Sequence, residues 1–326
     1  MIYSKYRLKL VDHRRGIIMG KREIFTNIIK RIFMVILSFL IFSLILTSIE
    51  NVNVQKEIQE FKNRAIFESE VVVTLQNGVE ETRRYYKVPR VYDYEISDTG
   101  SVFYGSNSNE REYLGQKGDI FVTQKSPFPT VPFVHQIMTF YFGGHAAINN
   151  GDNQFIESTG FPRPGESIID IIRYQGDENH NFSVGVSTSS KNYWLDPQFR
   201  SYQDKDYPAY GNYYRKEFIS LRVKNITEDQ INSAVSYAEE QFNKKALYNF
   251  LFIFDKEKKF YCTDLVSRAY QSALLDIRDQ NAFSRSLNDD RFITTVNDIV
   301  LSKDTYISIY VEIIDNIPHI YYLENL

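Results

Sequence analysis

From Ile32 to Ile49 the chain runs eighteen residues without one charged side chain. As a helix rising 1.5 Å per residue, that run is about 27 Å long, close to the hydrocarbon thickness of a bilayer. It is apolar on every face, whereas a helix on the surface of a soluble core keeps a polar side. Residues 1–31 hold nine Lys/Arg and two acids, and no charge follows the run until Glu50. That asymmetry predicts a cytoplasmic N-terminus and a body that has crossed the membrane. No Ala-x-Ala-like site follows, and the run exceeds the usual h-region of a signal peptide, so the expectation is an uncleaved single-pass anchor. Met19 as an alternative start would shorten the basic head and keep the topology.

The rest of the chain is acidic. Outside the basic head lie 29 Lys/Arg and 39 Asp/Glu, a balance that argues against nucleic acid as a partner. The expected organisation is a basic cytoplasmic segment at 1–31, an anchor at 32–49, a stalk and accessory hairpin at 50–109, and a catalytic domain at 110–326. The stalk reads as helix over 51–67. Asn77-Gly78 supplies the positive φ of a tight turn between two strand-like runs, 69–75 and 80–88. Farther on, 118–123 and 218–223 read as strands and 135–141 as a short helix. Residues 167–174 and 182–186 read as strands, or as a helix and a strand. Thr227-Glu-Asp-Gln230 is a capping box that opens a helix with Ile231, Ala234, Val235, Ala238 and Phe242 at core spacing. The aromatic stretch 187–216 reads as an insertion, core or lid, and 307–314 as a terminal strand.

Cys262 is the chain's one cysteine. It has no partner for a structural disulfide, and a free thiol outside the cytoplasm invites oxidation. The plain alternative is a small buried hydrophobe. Just past it, Leu265, Val266, Ala269, Tyr270, Ala273 and Leu274 fall on one helical face. The thiol therefore sits at a helix start, where backbone N–H groups and the helix dipole favour a thiolate.

A nucleophilic thiol needs a base and a group to orient that base. Gly143 to Ser158 reads as a hairpin reversing at Asn150-Gly151-Asp152. A three-residue loop there pairs Asn149 with Asn153 and sets His145 directly opposite Glu157, with Cβ atoms about 5 Å apart. A two-residue loop would turn Glu157 to the other face. The remaining histidines, His13, His135, His180 and His319, show no metal-ligand spacing, and neither a metal nor a cofactor is expected.

Gly118-Asp-Ile, Gly144-His-Ala-Ala-Ile with Phe155-Ile-Glu-Ser, Tyr248-Asn, and Tyr261-Cys-Thr-Asp-Leu-Val, in that order, resemble the circularly permuted NlpC/P60 superfamily of papain-like cysteine hydrolases. The YiiX/YebB-like group is the most similar, over roughly 110–310. The resemblance implies an α+β fold, an antiparallel sheet packed on the cysteine helix, with the histidine strand ahead of the nucleophile. It implies Cys262 as nucleophile, His145 as base, Glu157 as the third polar residue and Tyr248 as a residue lining the substrate site. Thr294-Thr-Val-Asn-Asp departs from the family's usual proline before its Asn/Asp-Leu. With the anchor, the resemblance points to amide hydrolysis in cell-wall peptides at a bacterial surface. A lipid or acyl-chain hydrolase or acyltransferase, and a non-catalytic surface-binding module, are the other two readings.

Overall fold

The computed structural model describes residues 3–74, 80–98, 100–104, 111, 113–126, 132–175, 180–189, 192–195, 216–252, 258–274 and 293–325, with side chains from residue 25 onward. The expected Asn77-Gly78 turn, the loop at 284–290 and all of 196–215 lie outside these residues. The chain divides into two units, Met1–Glu50 and Asn51–Leu326. A single helix, α1 (Tyr3–Asn63), runs through the first and into the second. Its Phe25–Asn63 part holds a stretch long and apolar enough to cross a membrane. The helix ends four residues short of the expected 67, because the β-branched and aromatic run starting at Ile66 is taken up as a strand.

The second unit is organised by an eleven-stranded sheet, in the order β1-β2-β11-β10-β7-β3-β4-β5-β6-β8-β9. Its strands are β1 (Ile66–Thr74), β2 (Glu80–Val88), β3 (Ile120–Thr123), β4 (His145–Asn149), β5 (Phe155–Thr159), β6 (Gly185–Thr188), β7 (Glu217–Val223), β8 (Leu247–Tyr248), β9 (Lys259–Phe260), β10 (Thr305–Ile314) and β11 (Ile317–Leu323). The helices are α2 (Asp93–Ile96), α3 (Pro132–Tyr141), α4 (Ile168–Arg173), α5 (Glu228–Asn243), α6 (Cys262–Leu274) and α7 (Val296–Leu301). Pairing is antiparallel except for β11–β2 and β8–β9. The β1–β2 hairpin joins this sheet through β11, so it belongs to the main fold and is not a separate appendage.

Two local features explain elements that the sequence shows unevenly. The Thr227 side chain accepts from the Gln230 N–H, and α5 starts where the capping box sets it. Within α5, Gln241 is buried and Phe242 is 41% exposed, the reverse of the expected core stripe at that end. The final hairpin turns on Asp315 and Asn316, both at positive φ (51° and 63°). That is the two-residue turn matching strand twist, and it makes 317–323 a strand that the sequence reading did not assign.

The Gly118-Asp-Ile motif is structural here. Asp119 is buried and receives the Arg222 Nε at 2.8 Å. Arg222 also reaches Asp98 at 2.7 Å, and the Tyr306 hydroxyl donates to the same carboxylate at 2.8 Å. This cluster ties the loop before β3 to the centre of the sheet. Removing one partner strands a buried charge. Arg222→Met is therefore expected to lower unfolding free energy by about 3–5 kcal/mol in chemical denaturation, and Asp119→Leu added to it should recover part of the loss.

Candidate active site

The β4–β5 hairpin has a longer loop than the sequence reading gave. Ala147, not His145, pairs with Glu157, and Asn149 pairs with Phe155. Residues 150–154 form the reversal, because consecutive asparagine side chains fold it. Asn149 Oδ1 accepts from the Gly151 N–H at 2.8 Å, and Asn150 Oδ1 accepts from the Asp152 N–H at 2.9 Å. Asn153 takes positive φ (56°). The slip is two residues, an even number, so His145 and Glu157 keep the same face. They meet diagonally across the strands, with His145 Nε2 to Glu157 Oε2 at 2.6 Å.

His145 is placed by the two glycines before it. Gly143 has φ +82°, and a Cβ on Gly144 would fall 1.9 Å from the Lys125 carbonyl oxygen. Only glycine lets the strand start so close to its neighbour. The imidazole is buried, with the Trp194 ring stacked 6.3 Å away at 19°. Tyr193 donates its hydroxyl to Glu157 Oε2. Asn192 Nδ2 donates to the Leu114 carbonyl and Asn153 Oδ1, both at 2.9 Å, and anchors this strap. Of the aromatic 187–216 stretch, residues 192–195 are thus core side chains against the His–Glu pair. Only a tryptophan and tyrosine side by side, Tyr193-Trp194, signalled it.

Cys262 begins α6, which packs across β4 and β5. Leu265, Val266, Ala269 and Tyr270 are buried, as their spacing predicts. The start of the helix is braced on both sides. Ser158 Oγ donates to the Phe260 carbonyl at 2.6 Å. Thr263 Oγ1 donates to the Thr294 carbonyl at 2.6 Å, and the Thr294 N–H donates to the Tyr261 hydroxyl at 2.9 Å. The departure at Thr294-Thr-Val is thus a latch on the cysteine helix.

Cys262, at the start of the helix packed on β4 and β5, acts on His145 from the other side, so the imidazole lies between thiol and carboxylate. Burial opposes its charged form, but the hydrogen bonds to Cys262 and Glu157 outweigh burial and raise its pKa from 6.5 to about 9. Tyr248 lies over Gly160, where a Cβ would come within 2.7 Å of the tyrosine ring. Burial above all pushes the Tyr248 hydroxyl well above its usual range. The structure brings His145 against Glu157 under the helix that Cys262 begins, and places Tyr248 against Gly160 at the end of β5. Among the described residues no cluster of three His, Cys, Asp or Glu could hold a metal ion.

Residues 214–307 match the model of a known family, described as permuted papain-like amidase enzymes, YaeF/YiiX, C92 family. That match supports a circularly permuted papain-like cysteine hydrolase of the YiiX group. The matched segment spans β7 through the cysteine helix to the start of β10, while His145 and Glu157 precede it in the chain. No curated protein and no solved structure matches the chain.

The raised pKa of His145 sets a pH dependence. A folded pKa above the unfolded one gives stability that is full below about 6.5 and lost as pH rises through about 9. Nitrogen-detected NMR should show His145 as imidazolium at neutral pH. Between pH 7 and 10 the melting temperature should fall more steeply in the parent chain than in Glu157→Gln, which removes one of the raising contacts.

Proposed function

We propose that the domain is a thiol amidase in which Cys262 is the nucleophile, His145 the base and Glu157 the residue that orients it. The observation that carries this reading is the 2.6 Å contact of His145 with Glu157 beneath the helix that Cys262 begins, with the thiol interacting with the same imidazole. His145 takes the thiol proton, and the resulting ion pair puts a thiolate at the start of α6. The sulfur attacks an amide carbonyl. The Cys262 N–H donates to the developing oxyanion. His145 then gives the proton to the leaving amine, and an acyl-thioester remains. Water, deprotonated by the same imidazole, releases the acid and restores the thiol. Glu157, held by Tyr193, keeps one ring nitrogen of His145 engaged so that the other faces sulfur. By the family resemblance, Tyr248 lines the substrate site.

The anchor and the wider NlpC/P60 likeness favour peptides of the bacterial cell wall as substrate, outside the cell membrane. A lipid-amide or acyl-ester substrate is the second reading. It is favoured by the apolar side chains beside the site: Phe142 stacks on Phe252 at 5.7 Å, and Phe252 packs on Tyr261 at 5.1 Å.

The test is turnover by the full chain in nanodiscs, against muropeptides and against N-acylated lipids. Cys262→Ala should reduce release of free amine to background on whichever substrate is cleaved. His145→Ala should lower kcat by about 10²–10⁴-fold. Tyr193→Phe, which leaves the carboxylate in place, should cost far less. Full turnover by Cys262→Ala would exclude the thiol mechanism.

A further inference from the structure

The segment from Ser126 to Gly144 contains no Asp, Glu, Lys or Arg. Its described helix, α3, reads Pro-Phe-Val-His-Gln-Ile-Met-Thr-Phe-Tyr and has no buried residue. Phe133 is 72% exposed, Val134 39% and Ile137 38%. In a soluble domain an uncharged, aromatic helix left on the surface marks a place where something apolar sits.

Its position along the chain says what that is. Asn51 is two residues past Ile49, where the apolar run ends. Asn51 Nδ2 donates to the Phe140 carbonyl of α3 at 3.0 Å, and Asn51 Oδ1 accepts from Asn297 at 3.1 Å. Gln124 donates to Asn297 at 2.9 Å and accepts from Gln55, one helical turn past Asn51, at 3.0 Å. A ladder of four amide side chains thus fixes the C-terminal end of α3, and Gln124 after β3, to the first turns of the stalk. If 32–49 spans the bilayer, Asn51 lies within a few Å of its boundary. The C-terminal end of α3 then lies at the headgroups, with the rest of the helix within about 15 Å. Tyr is enriched at such an interface, and Phe is characteristic of the apolar face of a helix lying in it.

We propose that α3 is a membrane-contacting helix that lays Phe133, Val134 and Ile137 into the lipid surface of the membrane that holds the anchor. His145 follows α3 by way of Phe142-Gly-Gly, so this contact sets the histidine strand close above the bilayer, whatever bond is cleaved. The proposal rests on reading 32–49 as a span, and the experiment keeps the two apart.

The full chain is placed, one copy per nanodisc, in lipid with or without bromine on the acyl chains. Phe133→Trp is compared with Phe42→Trp, within the apolar run. Trp194, present in every chain, is removed by difference against the parent. The proposal expects the emission added by Phe133→Trp to be blue-shifted and largely lost in brominated lipid, as for Phe42→Trp. Quenching of Phe42→Trp alone, with a water-like Phe133→Trp, overturns the proposal and leaves the span standing. Quenching of neither overturns the span and the proposal together. A blue-shifted Phe133→Trp that bromine does not quench means protein covers α3, which also overturns it.

Discussion

The diagonal contact between His145 and Glu157 is what the candidate site depends on. It joins neighbouring strands inside the sheet, where neither group moves without the backbone. A buried imidazole left alone would shed its proton. Here the carboxylate on one side and the sulfur on the other reverse that preference. Every other feature of the site serves this contact. Gly143-Gly144 starts the histidine strand close against Lys125, Tyr193 holds the carboxylate, Trp194 closes one face of the ring, and α6 carries the thiol across the same two strands.

The fold explains why the order of residues along the chain is free to differ from their order in the mechanism. The base and its partner sit on β4 and β5, and the nucleophile arrives later on α6. Three side-chain braces from Ser158, Tyr261 and Thr263 fix the first turn of α6 to β5 and to the 294 loop. The chemistry needs only that the helix start face the strand pair. Arg222 and the acids around it hold the sheet's centre, near the Tyr270 end of α6 and away from its Cys262 end.

Much of this was legible in residues alone, for definable reasons. The capping box at Thr227, the apolar stripe after Cys262 and the strand expected at 118–123 depend on local chemistry; the first two form where that chemistry indicates, and the strand starts two residues later, at Ile120. The hairpin loop was misjudged because side-chain-to-backbone bonds from Asn149 and Asn150 fold a longer reversal than turn residues alone suggest. The site survived because period-two alternation preserves the face across an even slip. Trp194 against His145, and β2 alongside β11, join residues far apart in sequence, and no local pattern encodes them. Strand β11 was within reach, since Asp315-Asn316 between two β-rich runs is a turn signal.

The central claim is that Cys262 carries an acyl group during the reaction, and one measurement addresses it directly. The full chain is mixed with an activated acyl donor, quenched in acid within the first turnover and digested for mass spectrometry. The account predicts one acyl group per chain on the peptide containing Cys262, disappearing as free acid accumulates. Little or no adduct should form in His145→Ala over the same interval. Acid released at the parent rate by Cys262→Ala, or an adduct on any other residue, would contradict it.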